Sequence, residues 1–335
     1  MSTPIGIPAR VVVPLASVAF VLCWSSGFLG AKLGSHDAHP VTLLVWRFVP
    51  LLLLLLALGA LRRRRPGHRL EPGEVTTHLL VGLLSQVGYV LPVYLAIGAG
   101  VASGTTALID AVQPLVVATL VGPLLGLRVV AMQWLGLVTG AVGVVLVVGA
   151  DLATASAPAW AYTLPLAAMA SLVAATFVAR RRPTTTSPLT ALTLHGAVGV
   201  VVIGGIALAT GTAAPPAQAS FWGVALFLAV VPSLGGYGLY WALLTRIGVT
   251  RLNALLFLVA PTTAVAGALL FGEPFTLGTA AGLLLSGVAV ALVLTHEQAE
   301  TDTAQQAPPR AGAGATADGQ GGTRDPAQAE RQPAS

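Results

Sequence analysis

Charged side chains are scarce in this sequence. Of its 335 residues, 9% are Asp, Glu, Lys or Arg, against about 25% in an ordinary soluble domain. Hydrophobic residues make up 55% and the mean hydropathy is +0.84. The deficit of charge runs through nearly the whole chain, which excludes a water-soluble globular fold and reads as a polytopic membrane protein. Cysteine is almost absent. Cys23 is alone, so an internal disulfide and a thiolate metal site are both excluded. Lysine occurs once, at Lys32, and every other basic residue is arginine. Signatures of membrane enzymes are missing too: there is no His-Glu-x-x-His, no Asp-rich prenyl site and no Gly-x-Ser-x-Gly. No P-loop is present, so ATP is not the energy source, and no cofactor is expected. His36, Asp37 and His39 sit together in a short loop but read as a solvated connection rather than a metal site.

Long apolar runs fill the remainder. A spanning helix needs about 20 mostly apolar residues, and ten segments qualify: 11–33, 41–61, 75–98, 104–125, 129–149, 159–179, 189–210, 221–244, 250–271 and 276–295. The first resembles a signal peptide, with Arg10 ahead of it, but it is long enough to span and is read as a retained helix. With residues 1–10 in the cytoplasm, Arg10, Arg62 to Arg65, Arg69, Arg128, Arg180 to Arg182, Arg246 and Arg251 all fall on the cytoplasmic side. Asp37, Asp151 and Glu273 fall outside, with Lys32 at the outer end of the first span. This positive-inside bias sets the orientation, with both termini cytoplasmic. The "RRRR" run at 62–65 is then a topology determinant, not a nucleic-acid patch. Residues 296–335 are rich in Ala, Gly, Gln and Pro without apolar periodicity, and are expected to be a disordered tail.

The chain repeats itself. "HPVTLLVWR" (39–47) aligns with "SPLTALTLH" (187–195) at an offset of 148, matching Pro40 to Pro188 and Thr42 to Thr190. "TALIDAVQP" (106–114) aligns with "NALLFLVAP" (253–261) at 147, matching Pro114 to Pro261. Two halves follow, 11–149 and 159–295, each with five spans. An odd number inverts the second half relative to the first, an arrangement associated with alternating access around a midplane site. The expected fold is therefore an all-α integral membrane protein of ten transmembrane helices in two inverted five-helix repeats.

"WSSGFLGAKL" (24–33), "HPVTLLVWRF" (39–48), "QPLVVATLVGPLLG" (113–126) with "QWLGLVTGAVGVVLV" (133–147), and the stretch from Ala260 to Val293 containing Gly272-Glu273 together resemble the EamA family of the drug/metabolite transporter superfamily. The resemblance covers about residues 15–295. It departs at Gly126-Leu127, where the family pattern has Gly-Glu. It implies a ten-helix metabolite transporter, often an exporter of amino acids or related small molecules.

Ionisable groups within spans are costly, about 2.5–3.5 kcal/mol each on insertion scales, and each is a candidate functional residue. Arg47 lies seven residues past Pro40, about 10 Å below the outer helix start at 1.5 Å per residue. Asp110 lies about 9 Å down a neighbouring span by the same rise. The matching depths suggest an ion pair, or a shared outward-facing cavity; the alternative for Arg47 is snorkelling to the headgroups. His195, the repeat mate of Arg47, suits proton coupling. Trp24, Gln86, Tyr89, Gln113, Tyr237 and Trp241, with Tyr94 and Tyr240 nearby, offer aromatic walls and a few polar groups, as a small-molecule pocket needs. Interfacial belts are the alternative for the Tyr and Trp residues. The reading that follows is a secondary transporter of a small amphiphilic metabolite in the cytoplasmic membrane, with proton coupling, a lipid bilayer around it and no nucleic-acid partner. A channel or a membrane-embedded enzyme is the alternative class.

Overall fold

The computed structural model describes residues 9–62, 71–125, 131–154, 157–289 and 291. The first eight residues of the expected N-terminal stub, Arg63 to Arg65, Gly126-Leu127, most of the last stretch of the expected tenth span and the tail lie outside them. Among the described residues every regular element is helical. In order these are α1 (Ala9–Gly34), α2 (Pro40–Arg62), α3 (Pro72–Gly82), a π segment (Leu83–Val87), α4 (Val90–Gly98), α5 (Ser103–Ala111), α6 (Gln113–Leu125) and α7 (Ala131–Thr154). After a single 3₁₀ turn (Ala159–Tyr162) come α8 (Thr163–Arg181), α9 (Pro188–Ala209), α10 (Ala219–Leu228), a second π segment (Ala229–Gly236), α11 (Tyr237–Phe257), α12 (Val259–Phe271) and α13 (Leu277–Ala289).

Among the described residues, seven helical stretches are long and apolar enough to cross a membrane: Val12–Gly34, Pro40–Leu61, Pro72–Gly98, Trp134–Thr154, Ala159–Arg181, Pro188–Ala209 and Ala219–Ile247. The described residues of the other three expected spans form shorter or interrupted helices. Residues 104–125 divide at Val112, because Pro114 has no N–H for the Asp110 carbonyl and its ring crowds that carbonyl. The chain restarts with Leu115 and Val116 donating to the Val112 carbonyl, at 3.0 and 3.2 Å. The second half does the same at Leu258, ahead of Pro261, with Thr262 donating to the Leu258 carbonyl at 3.1 Å. The connection expected between 244 and 250 is instead helical. Nothing there removes a donor, so α11 runs on to Phe257 and the interruption waits for the proline.

Helix starts repeat as well. Pro40 opens α2 and Pro188 opens α9, each at a position whose N–H needs no intrahelical partner. The residue before each proline caps the next free amide: His39 Nδ1 accepts from the Val41 N–H at 3.3 Å, and Ser187 Oγ accepts from the Thr190 N–H at 3.2 Å. The start of α5 is capped from two directions. Asp151, in the last turn of α7, accepts from the Ala102 N–H at 3.1 Å. Glu273 accepts from the Ser103 N–H at 2.9 and 3.0 Å and from Ser103 Oγ at 2.8 Å, and Lys32 Nζ stands 3.7 Å from the same carboxylate. Gly272 makes this reach geometrically easy. It ends α12 at φ +65°, a left-handed turn that a side chain would strain.

Packing pairs the halves. α2 lies along α9, and α5 along α12. Phe48, Leu44, Leu51 and Leu55 on α2 are fully buried or nearly so. A Cβ placed on Gly199 of α9 would stand 3.3 Å from the Phe48 ring, and one on Gly104 of α5 would stand 2.6 Å from the Ala264 Cα of α12. Close backbone approach through small residues is how helices associate where lipid removes the hydrophobic drive. The first helix of each half leans on the third and fourth segments of the other: α1 on α10, the second π segment, α11 and α12, and α8 on α3, α4, α5 and α6. The centre of the bundle is thus walled by both halves.

Candidate functional site

Arg47 sits at that centre on α2, 8% exposed. Its Nε and Nη2 donate to Ser233 Oγ at 3.1 and 3.0 Å, and its Nη1 donates to the Tyr94 hydroxyl. The guanidinium carbon lies 5.5 Å from the Phe48 ring centroid and 5.4 Å from that of Tyr94, within cation–π range. Ser233 belongs to the second π segment. Pro232 has no N–H for the Leu228 carbonyl, and Ser233 Oγ donates to that carbonyl at 2.8 Å. One proline thus fixes the hydroxyl that receives the arginine.

The first π segment carries Gln86. Here the Gly88 N–H reaches back five residues to the Leu83 carbonyl at 2.8 Å, and the bypassed Leu84 carbonyl accepts from Ser171 Oγ of α8, also at 2.8 Å. Gln86 Nε2 donates to the Tyr237 hydroxyl at 3.4 Å, joining the two π regions across the cavity. Such single-turn π distortions are frequent at functional sites. Just beyond, Tyr89 Oη donates to Asp110 Oδ2 at 2.9 Å, while Asp110 Oδ1 is buried with no partner among the described residues. Trp24 packs against Phe20, Tyr237 and Tyr240, with ring centroids 5.4, 5.7 and 6.2 Å away.

These side chains enclose a cavity of about 70 Å³. Trp24, Arg47, Gln86, Tyr89 and Tyr237 line it, along with Tyr94. The expected Arg47–Asp110 ion pair does not form. Equal depth fixed only one coordinate; around its axis α2 turns Arg47 toward Ser233 and Tyr94, while Asp110 on α5 faces Tyr89. Arg47 is turned inward rather than snorkelling. Asp110 stands behind the wall, one hydroxyl removed from the cavity. Gln113 is elsewhere, donating to Thr176 Oγ1 at 3.3 Å. His195 faces His78 of α3, with Nε2 3.4 Å from His78 Nδ1 and ring centroids 5.4 Å apart. Trp241 is 44% exposed and meets Tyr240 edge-on. Ser233 and His78 escaped the sequence reading. Only Pro232 beside Ser233 signalled anything unusual there.

A second cavity, of about 550 Å³, opens between α5, α6, α7 and α8; aliphatic side chains such as Leu137, Val144 and Leu166 line it, with Tyr162 and Thr163 at its edge. Among the described residues no group of three or more His, Cys, Asp or Glu is placed to hold a metal ion. In the His36–Asp37–His39 loop, Asp37 accepts from Ser220 Oγ at 2.7 Å and His39 caps α2.

Long apolar helices, two matched halves and a cavity lined by residues of both halves define a multi-pass helical membrane protein. The model of the EamA-like transporter family matches residues 13–149 and again 159–295, and the chain belongs to that family. A protein of known crystal structure has a similar fold, with a TM-score of 0.56 at 19% identity over 86% of this chain and 98% of the other. Comparison with curated proteins gives no match.

Proposed function

We propose that the chain is a secondary transporter of the cytoplasmic membrane, moving a small amphiphilic metabolite, such as an amino acid or a related compound, outward by alternating access. In this reading the helices form ten spans in two inverted five-helix repeats, with both termini cytoplasmic. The positive residues then face the cytoplasm, while Asp151, Glu273 and Lys32 lie at the outer end.

One observation carries the proposal: Arg47 of the first half is held by Ser233 of the second inside the cavity. Rocking one half against the other changes this contact directly, which is what a site exposed alternately to two sides requires. The paired packing of α2 with α9, and the way α1 and α8 each lean on the opposite half, support the inverted arrangement. The lack of a P-loop supports an ion or substrate gradient as the driving force. Asp110 is the proposed protonation site. A buried carboxyl with one neutral donor and one orphan oxygen is best accommodated when protonated, and Tyr89 links it to the cavity. His195, paired with His78, is a second candidate for proton coupling.

The test is flux in proteoliposomes against a metabolite panel, with and without a pH gradient. The reading expects saturable, stereoselective flux that responds to the gradient. Non-saturating ion current would point to a channel, and a new chemical species to an enzyme.

A further inference from the structure

The geometry points to a carboxylate-bearing substrate, whose anionic end docks on Arg47 and whose flat apolar body lies against the aromatic wall. This assignment rests on the transport reading and narrows its substrate class. Four observations support it.

First, Arg47 is a buried cation without a buried anion. Its polar partners are a serine hydroxyl and a phenol, and its other neighbours are ring faces. Among the described residues no carboxylate lies within ion-pair distance of it. Neutral donors and rings orient a guanidinium but leave its full charge in a low-dielectric interior, where an uncompensated charge is costly. Second, a guanidinium has five N–H donors. Three are engaged here, so two remain, one on each terminal nitrogen. Paired donors of that kind suit the two oxygens of a carboxylate. Third, among the described residues Arg47 is the one charged side chain on the cavity wall. A single positive charge balances a monoanion and leaves a phosphate dianion half-compensated. The same charge repels cationic amphiphiles. Fourth, the rest of the lining is rich in aromatic rings: Trp24, Phe28, Tyr89, Tyr94 and Tyr237. At about 70 Å³ the cavity admits a head group in this conformation, against about 300–1,000 Å³ for an ordinary small-molecule site. The body therefore requires the cavity to widen.

The test uses the full-length protein in lipid nanodiscs and three isosteric probes: 3-phenylpropionate, 3-phenylpropanamide and 3-phenylpropylamine. Binding is followed by calorimetric titration. Losing charge-assisted hydrogen bonds predicts about ten- to hundredfold weaker binding of the amide, and the amine should bind no better than the amide. Arg47→Gln should abolish the preference for the acid, and Arg47→Lys should keep it at reduced affinity. If the glutamine variant fails to fold, the wild-type panel and the lysine variant still decide. Equal affinity for the acid and the amide, preference for the amine, no binding by the acid, or an acid preference that survives in Arg47→Gln overturns the assignment. Flux is scored separately. Saturable flux of the amide or amine in place of the acid overturns the assignment and leaves transport standing. Acid-selective binding without flux of any probe supports the assignment and counts against transport.

Discussion

Replacing Glu273 tests the packing of the bundle without knowledge of the substrate. Its carboxylate takes the Ser103 N–H and Oγ at the start of α5, and Lys32 lies at 3.7 Å. Two interactions compete for credit, a helix cap and an ion pair. Hydrogen bonds to a charged group are worth about 1.5–3 kcal/mol each, and a carboxylate at a helix N-terminus adds about 0.3–1 kcal/mol. The ion pair is long, 3.7 Å, between a lysine side chain 21% exposed and a carboxylate 8% exposed; at that separation, and against the desolvation of both groups, its net contribution is about 0–1 kcal/mol. The cap should therefore dominate. Glu273→Gln keeps one acceptor oxygen and loses the charge, so it should cost about 1–2 kcal/mol. Glu273→Ala, which loses both donors' partner, should cost about 3 kcal/mol. Lys32→Met should stay within about 0.5 kcal/mol of wild type. Denaturant unfolding in detergent micelles measures each variant. A double-mutant cycle of Glu273→Gln with Ser103→Ala should give a coupling of about 1 kcal/mol. A coupling below about 0.3 kcal/mol, or a Lys32→Met loss larger than that of Ser103→Ala, would refute the reasoning.

Three further outcomes follow from the geometry. Tyr89→Phe removes the one donor to Asp110 among the described residues; it should destabilise the fold by about 1–3 kcal/mol and change the pH dependence of flux, whereas an unchanged pH profile would detach Asp110 from coupling. Gly199→Leu drives a side chain into the Phe48 ring, 3.3 Å from where its Cβ would stand; a loss of about 1–3 kcal/mol is expected from overpacking, and a neutral result in unfolding would show that α2 and α9 pack more loosely than described. The His78–His195 contact needs one ring nitrogen free to accept, so protonating both rings breaks it. The stability of wild type should therefore fall more steeply on acidification than that of His78→Ala, and parallel melting-temperature profiles from alkaline to acidic pH would count against the contact.

Much of the architecture was legible because it depends on local covalent facts. Prolines at 40, 114, 188 and 261 mark two helix starts and two interruptions at nearly one spacing, and a missing N–H acts wherever it occurs. The site was less legible because it depends on azimuth and on distant chain. Depth along a span can be counted at 1.5 Å per residue, and Arg47 and Asp110 do share it. Which way each helix presents its side chain depends on packing, and the partner that orients Arg47, Ser233, lies 186 positions away. The π segments were hidden for a related reason. Gln86 reaches the cavity, and Ser233 reaches Arg47, through one-residue shifts in hydrogen bonding that no periodicity in the sequence records. Trp24, Gln86, Tyr89 and Tyr237 were found by composition alone, because an amide or an aromatic ring away from a span's ends has few other roles. The repeat marks His195 as the mate of Arg47, but nothing in it pairs His195 with His78.

The most direct test of the central claim, that the Arg47 cavity opens alternately to the two sides of the membrane, is side-resolved thiol labelling. Val93 lines the cavity and is 5% exposed. Val93→Cys, made in a Cys23→Ala background, gives one thiol inside the site. A membrane-impermeant methanethiosulfonate is then added from one face or the other of oriented vesicles. The account predicts labelling from each face, with a ligand that holds one state suppressing labelling from one face while sparing the other. Labelling from a single face under every condition, or from neither, would contradict it.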